Sequence, residues 1–155
     1  MEPSRLLSHA AGEVLVAYGL FYLQESQGPD VAALEGSDDD DGAGLIAAAG
    51  DGGLRLRSGG NDHYPAVQLE LWSGEPPRDP GSWEVAGEAG FTVSETGQIA
   101  ATSPFGEESQ AAITLPALGS YRVRVHVQGH ERARGLGEAT FSRGIEQWLL
   151  QAWAR

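Results

Sequence analysis

Residues Ser120 to Gly129, SYRVRVHVQG, alternate without a break. Tyr121, Val123, Val125 and Val127 fall on one side, and Arg122, Arg124, His126 and Gln128 on the other. A period of two sends successive side chains to opposite faces of an extended strand. One apolar and one polar face describe an antiparallel sheet that packs on a core on one side and meets water on the other. The turn ahead of it, LPALGS, is marked by Pro116 and Gly119.

The same period recurs along the chain. In AVQLELWS, Val67, Leu69 and Leu71 point inward, with Gln68, Glu70 and Trp72 outward. In SWEVAGEAGFTV, Trp83, Val85, Ala89, Phe91 and Val93 share a face, and Gly87 and Gly90 signal a bend. SGEPPRDPGS, with three prolines, is a loop between them. ETGQIAAT and QAAITLP read as short strands, and GLIAAAGDGGLRLRSGG as two more around a glycine turn. Two segments leave strand and helix open. EVLVAYGLFYLQ is apolar on both faces, although its β-branched and aromatic residues and Gly19 favour a strand. GIEQWLLQAWAR fits either spacing and is read as a closing strand. The expectation is an all-β, antiparallel two-sheet β-sandwich of about eight strands in one domain, residues 1–155. At this length a single domain buries roughly 70% of its unfolded surface and needs no covalent staple.

Charge narrows the function classes. The chain carries a net charge of −12. Residues 1–80 hold 14 acidic and 4 basic groups, and residues 81–155 hold 8 and 6. Such a field repels nucleic-acid phosphate and anionic membrane surfaces, and it attracts and steers a basic protein partner such as a nuclease or toxin. Ten arginines stand beside no lysine, the coding bias of a GC-rich bacterial genome. There is no cysteine, which excludes disulfides, thiolate metal sites and cysteine nucleophiles. Ser8, His9, Gly12 and Glu13 interrupt the apolar residues near the N-terminus, so a cytoplasmic location is expected.

The acidic half contains EGSDDDDGAG. A calcium loop placed on Gly42 would put Ser37, Asp39 and Asp41 at its first, third and fifth positions. Its twelfth would be Ala48, which cannot supply the bidentate carboxylate. Four adjacent aspartates also repel one another and resist burial. Residues 26–44 are therefore expected to form a flexible, solvated Asp/Gly-rich loop, with Asp38, Asp39, Asp40 and Asp41 as an electrostatic lure. Trp72 falls on the parity opposite Val67, Leu69 and Leu71, and with strand spacing Trp153 falls with Leu149 opposite Trp148, Leu150 and Ala152. They are candidate contacts for a partner or stacking platforms for a small ligand or carbohydrate. His126 and His130 read as an exposed strand-to-loop pair and Asn61–Pro65, NDHYP, as a polar turn. No nucleophile elbow, phosphate loop, metal set or cofactor motif is present, so no enzymatic activity is expected.

The succession GLIAAAGDGGLRLRSGG, VQLELWSGEPPRDPGSWEVAGEAGFTVSETGQIAA, ITLPALGSYRVRVHVQG and EQWLLQAWAR resembles the competence protein J family, the DNA-entry nuclease inhibitor type. VAYGLFYL stands where that family's first aromatic strand stands. The resemblance spans roughly residues 14–154, by spacing and pattern more than by identity. It implies a small, acidic, non-enzymatic β-sandwich that binds and inhibits a nuclease. The insert at Ser26–Gly44 and the Gly19–Leu20 pair depart from the family pattern.

Overall fold

The computed structural model describes residues 3–35, 44–78, 83–137 and 141–155. Ten strands are found among them: β1 (Leu6–Glu13), β2 (Leu20–Glu25), β3 (Ile46–Gly50), β4 (Gly53–Arg57), β5 (Tyr64–Trp72), β6 (Val85–Val93), β7 (Gln98–Thr102), β8 (Glu108–Thr114), β9 (Gly119–Gln128) and β10 (Arg143–Ala154). They form two five-stranded sheets, ordered β1-β5-β10-β9-β6 and β3-β4-β2-β7-β8. The fold is the expected all-β sandwich, with one parallel pair, β5 and β10, among antiparallel neighbours. A five-residue helix, α1 (His130–Arg134), lies on the path that carries the chain from β9 towards β10.

The alternation seen in the sequence fills the space between the sheets. Val67, Leu69 and Leu71 of β5, Trp148 and Leu150 of β10, and Val123, Val125 and Val127 of β9 face inward from the first sheet. Phe21, Leu23, Leu54, Leu56 and Ile99 meet them from the second. Phe21 packs edge-on against Trp148 at 5.0 Å between ring centres, the geometry that sets a positive ring edge on a negative face. Of the two ambiguous segments, Arg143–Ala154 is the central strand of the first sheet, whereas EVLVAYGLFYLQ is not one strand: a turn at Tyr18 and Gly19 divides it, and only its second part enters β2, Leu20–Glu25.

Two departures have physical causes. β1 carries no strong apolar alternation because it is an edge strand in which exposed and half-buried residues alternate and none is fully buried. Gly12 lets it approach β8, where a Cβ would sit 2.9 Å from the Ala111 nitrogen. Trp83 precedes β6 rather than extending it, so strand parity does not carry its ring into the core. The ring lies instead against His126, 5.7 Å away, on the outer face of the first sheet.

The turn between β6 and β7 is tied to β2 by one carboxylate. Glu25, 1% exposed, accepts hydrogen bonds from the backbone N–H groups of Ser94, Glu95, Thr96 and Gly97 at 2.9–3.1 Å. Successive backbone N–H groups turned inward make a concavity that favours an anion. Burial raises the Glu25 pKa, but these four bonds outweigh it and hold the carboxyl below its ordinary range.

Candidate functional site

Three rows of side chains cross the outer face of the first sheet in register. One row is Glu70, Gln151, Arg124 and Glu88. The next is Trp72, Trp153, Arg122 and Gly90, and the third is Gln68, Leu149, His126 and Ala86. The sequence-predicted Trp72 and Trp153 are thus neighbours, brought side by side by the parallel pairing of β5 and β10. Their surroundings differ. Trp153 is buried, with the Arg124 guanidinium 5.3 Å above its ring. Trp72 is half-buried and lines a groove of about 430 Å³ with Gln68, Arg78, Trp83, Leu149 and Gln151.

The groove floor is held in place by its own hydrogen bonds. Glu70 Oε1 accepts from Trp72 Nε1 at 2.8 Å and from Gln151 Nε2 at 3.0 Å. Gln151 Oε1 lies 3.2 Å from His126 Nε2. Arg124 donates through Nε to Glu88 and through Nη1 to the Pro76 carbonyl. Apolar ring faces beside fixed polar edges can receive an amphipathic group, either a side chain of a partner or a small ring-shaped ligand. Asp38, Asp39, Asp40 and Asp41 lie outside the described residues. The segment ahead of them packs on the second sheet through a 3₁₀ turn at Val31–Ala33, whose carbonyls accept from Arg55.

A second polar cluster was not legible in the sequence. Glu146 on β10 is fully buried and collects four donors. Ser58 Oγ and Trp148 Nε1 reach its Oε1, each at 2.7 Å, and the Gly59 N–H and His130 Nδ1 reach its Oε2 at 2.8 and 2.9 Å. Burial pushes this carboxyl up, but the four bonds together hold it below its ordinary value. A carboxylate only accepts, so the Ser58 hydroxyl spends its hydrogen on Glu146. His63 Nε2, 2.7 Å from Ser58 Oγ, is then the donor to that oxygen, and His63 Nδ1 has no hydrogen-bond partner among the described residues. Burial depresses the His63 pKa against the opposing pull of Glu146 and Asp62, in keeping with a neutral ring. Ser58, His63 and Glu146 match a hydrolytic trio in residue type but not in role, because the serine proton points to the carboxylate and not to the imidazole.

This cluster corrects two sequence readings. His126 and His130 are not an exposed pair: they are 6% and 7% exposed and serve different partners, Gln151 and Glu146. NDHYP is more than a polar turn, because His63 is fully buried. The signal available in the sequence was Ser58-Gly59-Gly60. A Cβ on Gly59 would meet the His130 carbonyl at 2.3 Å, so the glycine marks close packing against α1. Among the described residues no group of three or more His, Asp or Glu side chains is arranged to hold a metal. None of the described helices is long and apolar enough to cross a membrane.

No protein-family model matches the chain, and no curated protein matches it. Solved structures do. ComJ from Bacillus subtilis, described as an inhibitor of the DNA degrading activity of NucA, superposes with a TM-score of 0.61. The two are 16% identical over 99% of this chain and 100% of that one. The product of crocagin biosynthetic gene J superposes with a TM-score of 0.57 at 14% identity, over 96% of this chain and 99% of its own. The chain has a ComJ-like fold. At these identities it is the sandwich that is shared.

Proposed function

We propose that this chain is a non-enzymatic protein-binding module, an inhibitor or immunity-type protein acting in the cytoplasm, whose acidic surface complements a basic partner such as a nuclease or toxin. The observation that carries this reading is the net charge of −12, because a nuclease cleft built to hold phosphate attracts carboxylates by the same field. The end-to-end likeness to an inhibitor of a nuclease, which compares whole sandwiches and not one shared hairpin, supports it. In this mechanism the acidic first half, Asp38 to Asp41 included, occupies the basic cleft and excludes nucleic acid. Trp72, which lines the groove, belongs to the contact surface of the same module, whereas Trp153, buried under Arg124, stands behind it.

The test is capture from a lysate of the source organism on the immobilised chain, followed by a salt gradient. A basic nuclease or toxin released at moderate salt is the expected result, since screening weakens exposed charge pairs beyond roughly 10 Å at 0.1 M. Capture of no basic protein at low salt would remove the reading. The Trp72–Trp83 groove favours a second reading, a small-ligand or carbohydrate-binding sandwich. Ligand-dependent quenching of tryptophan fluorescence would support it, and no response across a broad sugar panel would exclude it.

A further inference from the structure

Tyr18 and Gly19 are the two central residues of a tight hairpin, closed by Ala17 N–H to Leu20 C=O at 3.2 Å and Leu20 N–H to Ala17 C=O at 3.0 Å. Both have positive φ, +56° and +77°. A two-residue hairpin with that backbone is normally built from Asn-Gly or Asp-Gly, because a bulky side chain with positive φ crowds its own carbonyl. Tyrosine at the first position is strained, and its ring is 81% exposed, so little packing offsets the strain. Phe141 repeats the combination, at φ +51° and 50% exposed. The two sit on consecutive carbonyls of one loop: the Gly19 N–H donates to Asn61 C=O and the Phe141 N–H to Asp62 C=O, both at 3.1 Å. Tyr64 lies beside Phe141, 6.4 Å between rings, with the Arg143 guanidinium 4.3 Å over the Tyr64 ring.

Strained, exposed aromatics at one end of a rigid sandwich serve no purpose in folding that asparagine would not serve better. Aromatic and arginine side chains are also the residues enriched at the energetic centres of protein interfaces. We infer that Tyr18 and Phe141 are the aromatic anchors of a protein-docking surface at this end of the molecule, and that its occupant is the basic partner. This rests on the inhibitor reading for the partner's charge. A basic protein drawn by the net charge of −12 brings cationic side chains, which can stack on exposed aromatic rings. A second copy of the chain, also at −12, is repelled by the same field.

The experiment uses Tyr18→Asn and Phe141→Asn, with Leu118→Asn as an exposed apolar control on the β8–β9 turn. Asparagine tolerates positive φ, so Tyr18→Asn is expected to raise Tm by about 2–4 °C. Its affinity for the partner identified by mass spectrometry, titrated pure, is expected to fall about 30-fold, the scale of an interface anchor. Leu118→Asn is expected to bind as the native chain does. A captured basic partner that binds Tyr18→Asn and Phe141→Asn unchanged overturns this surface and leaves the inhibitor reading standing. Capture of no basic partner by the native chain overturns both. Self-association of the native chain in sedimentation, lost in Tyr18→Asn, reassigns the surface to a second copy and overturns the occupant. A lower Tm for Tyr18→Asn overturns the strain argument.

Discussion

Glu146 and Glu25 are both buried carboxylates, but their donors are distributed differently, and this sets what each tolerates. Glu146 receives two donors on each oxygen. Glutamine there must turn its amide N–H₂ towards two of them, leaving donors facing donors in a buried site. Glu146→Gln should cost about 3 kcal/mol in urea unfolding. Glu25 takes three of its four bonds on Oε2, so glutamine keeps those three and loses mainly the one from Ser94. Glu25→Gln should cost only about 1–2 kcal/mol. Equal losses would contradict the assigned hydrogen bonds. The same groups determine the response to acid. His63 has a folded pKa below its ordinary 6.5, so the unfolded chain binds the proton first and stability falls as pH drops below that value. Glu146 and Glu25 have folded values below their ordinary 4.5, so their contribution is full above 4.5 and is lost as pH falls through the folded values. Urea midpoints measured from pH 8 to pH 3 should therefore fall in two stages, and His63→Gln should abolish the upper one.

At the scale of elements, β10 organises the first sheet, pairing with β5 on one side and β9 on the other. Its Trp148 fills the core and also donates to Glu146, so Trp148→Ala removes packing together with one of the four donors to that buried carboxylate. A loss of about 3–5 kcal/mol is expected by chemical denaturation. β9 was legible because its outer face is polar at every second residue, although that face is not wet as the alternation predicts: Arg124 and His126 are buried on it, and Arg122 and Gln128 are half-buried. β10 was ambiguous because both of its faces are covered, which erases the alternation: Leu149, Gln151 and Trp153 are buried on the outer side, as Trp148 and Leu150 are on the inner. β1 was missed for the opposite reason, since an edge strand buries too little to need an apolar pattern. Parity placed Trp72 and Trp153 on one face, but the parallel pairing that makes them neighbours joins residues far apart in the chain. No local pattern encodes it. The Glu146 cluster was hidden for the same reason, drawing Ser58, His63, His130 and Glu146 from separate stretches.

For the whole molecule, the proposed inhibitor role rests chiefly on charge. The ComJ-like sandwich is a rigid support, and the net charge of −12 gives it a long-range preference for cations. Affinity for the partner should drop steeply between 50 and 300 mM salt, and replacing Asp38–Asp41 with serine should flatten that slope; an unchanged slope would remove the acidic stretch from the mechanism. The most direct test of an inhibitor is what it does to its partner's activity. DNA cleavage by the captured basic protein should be measured with and without one equivalent of this chain at low salt. Arrest at one-to-one stoichiometry, relieved as salt is raised, is the predicted result. Cleavage at the full rate with the chain bound would contradict it.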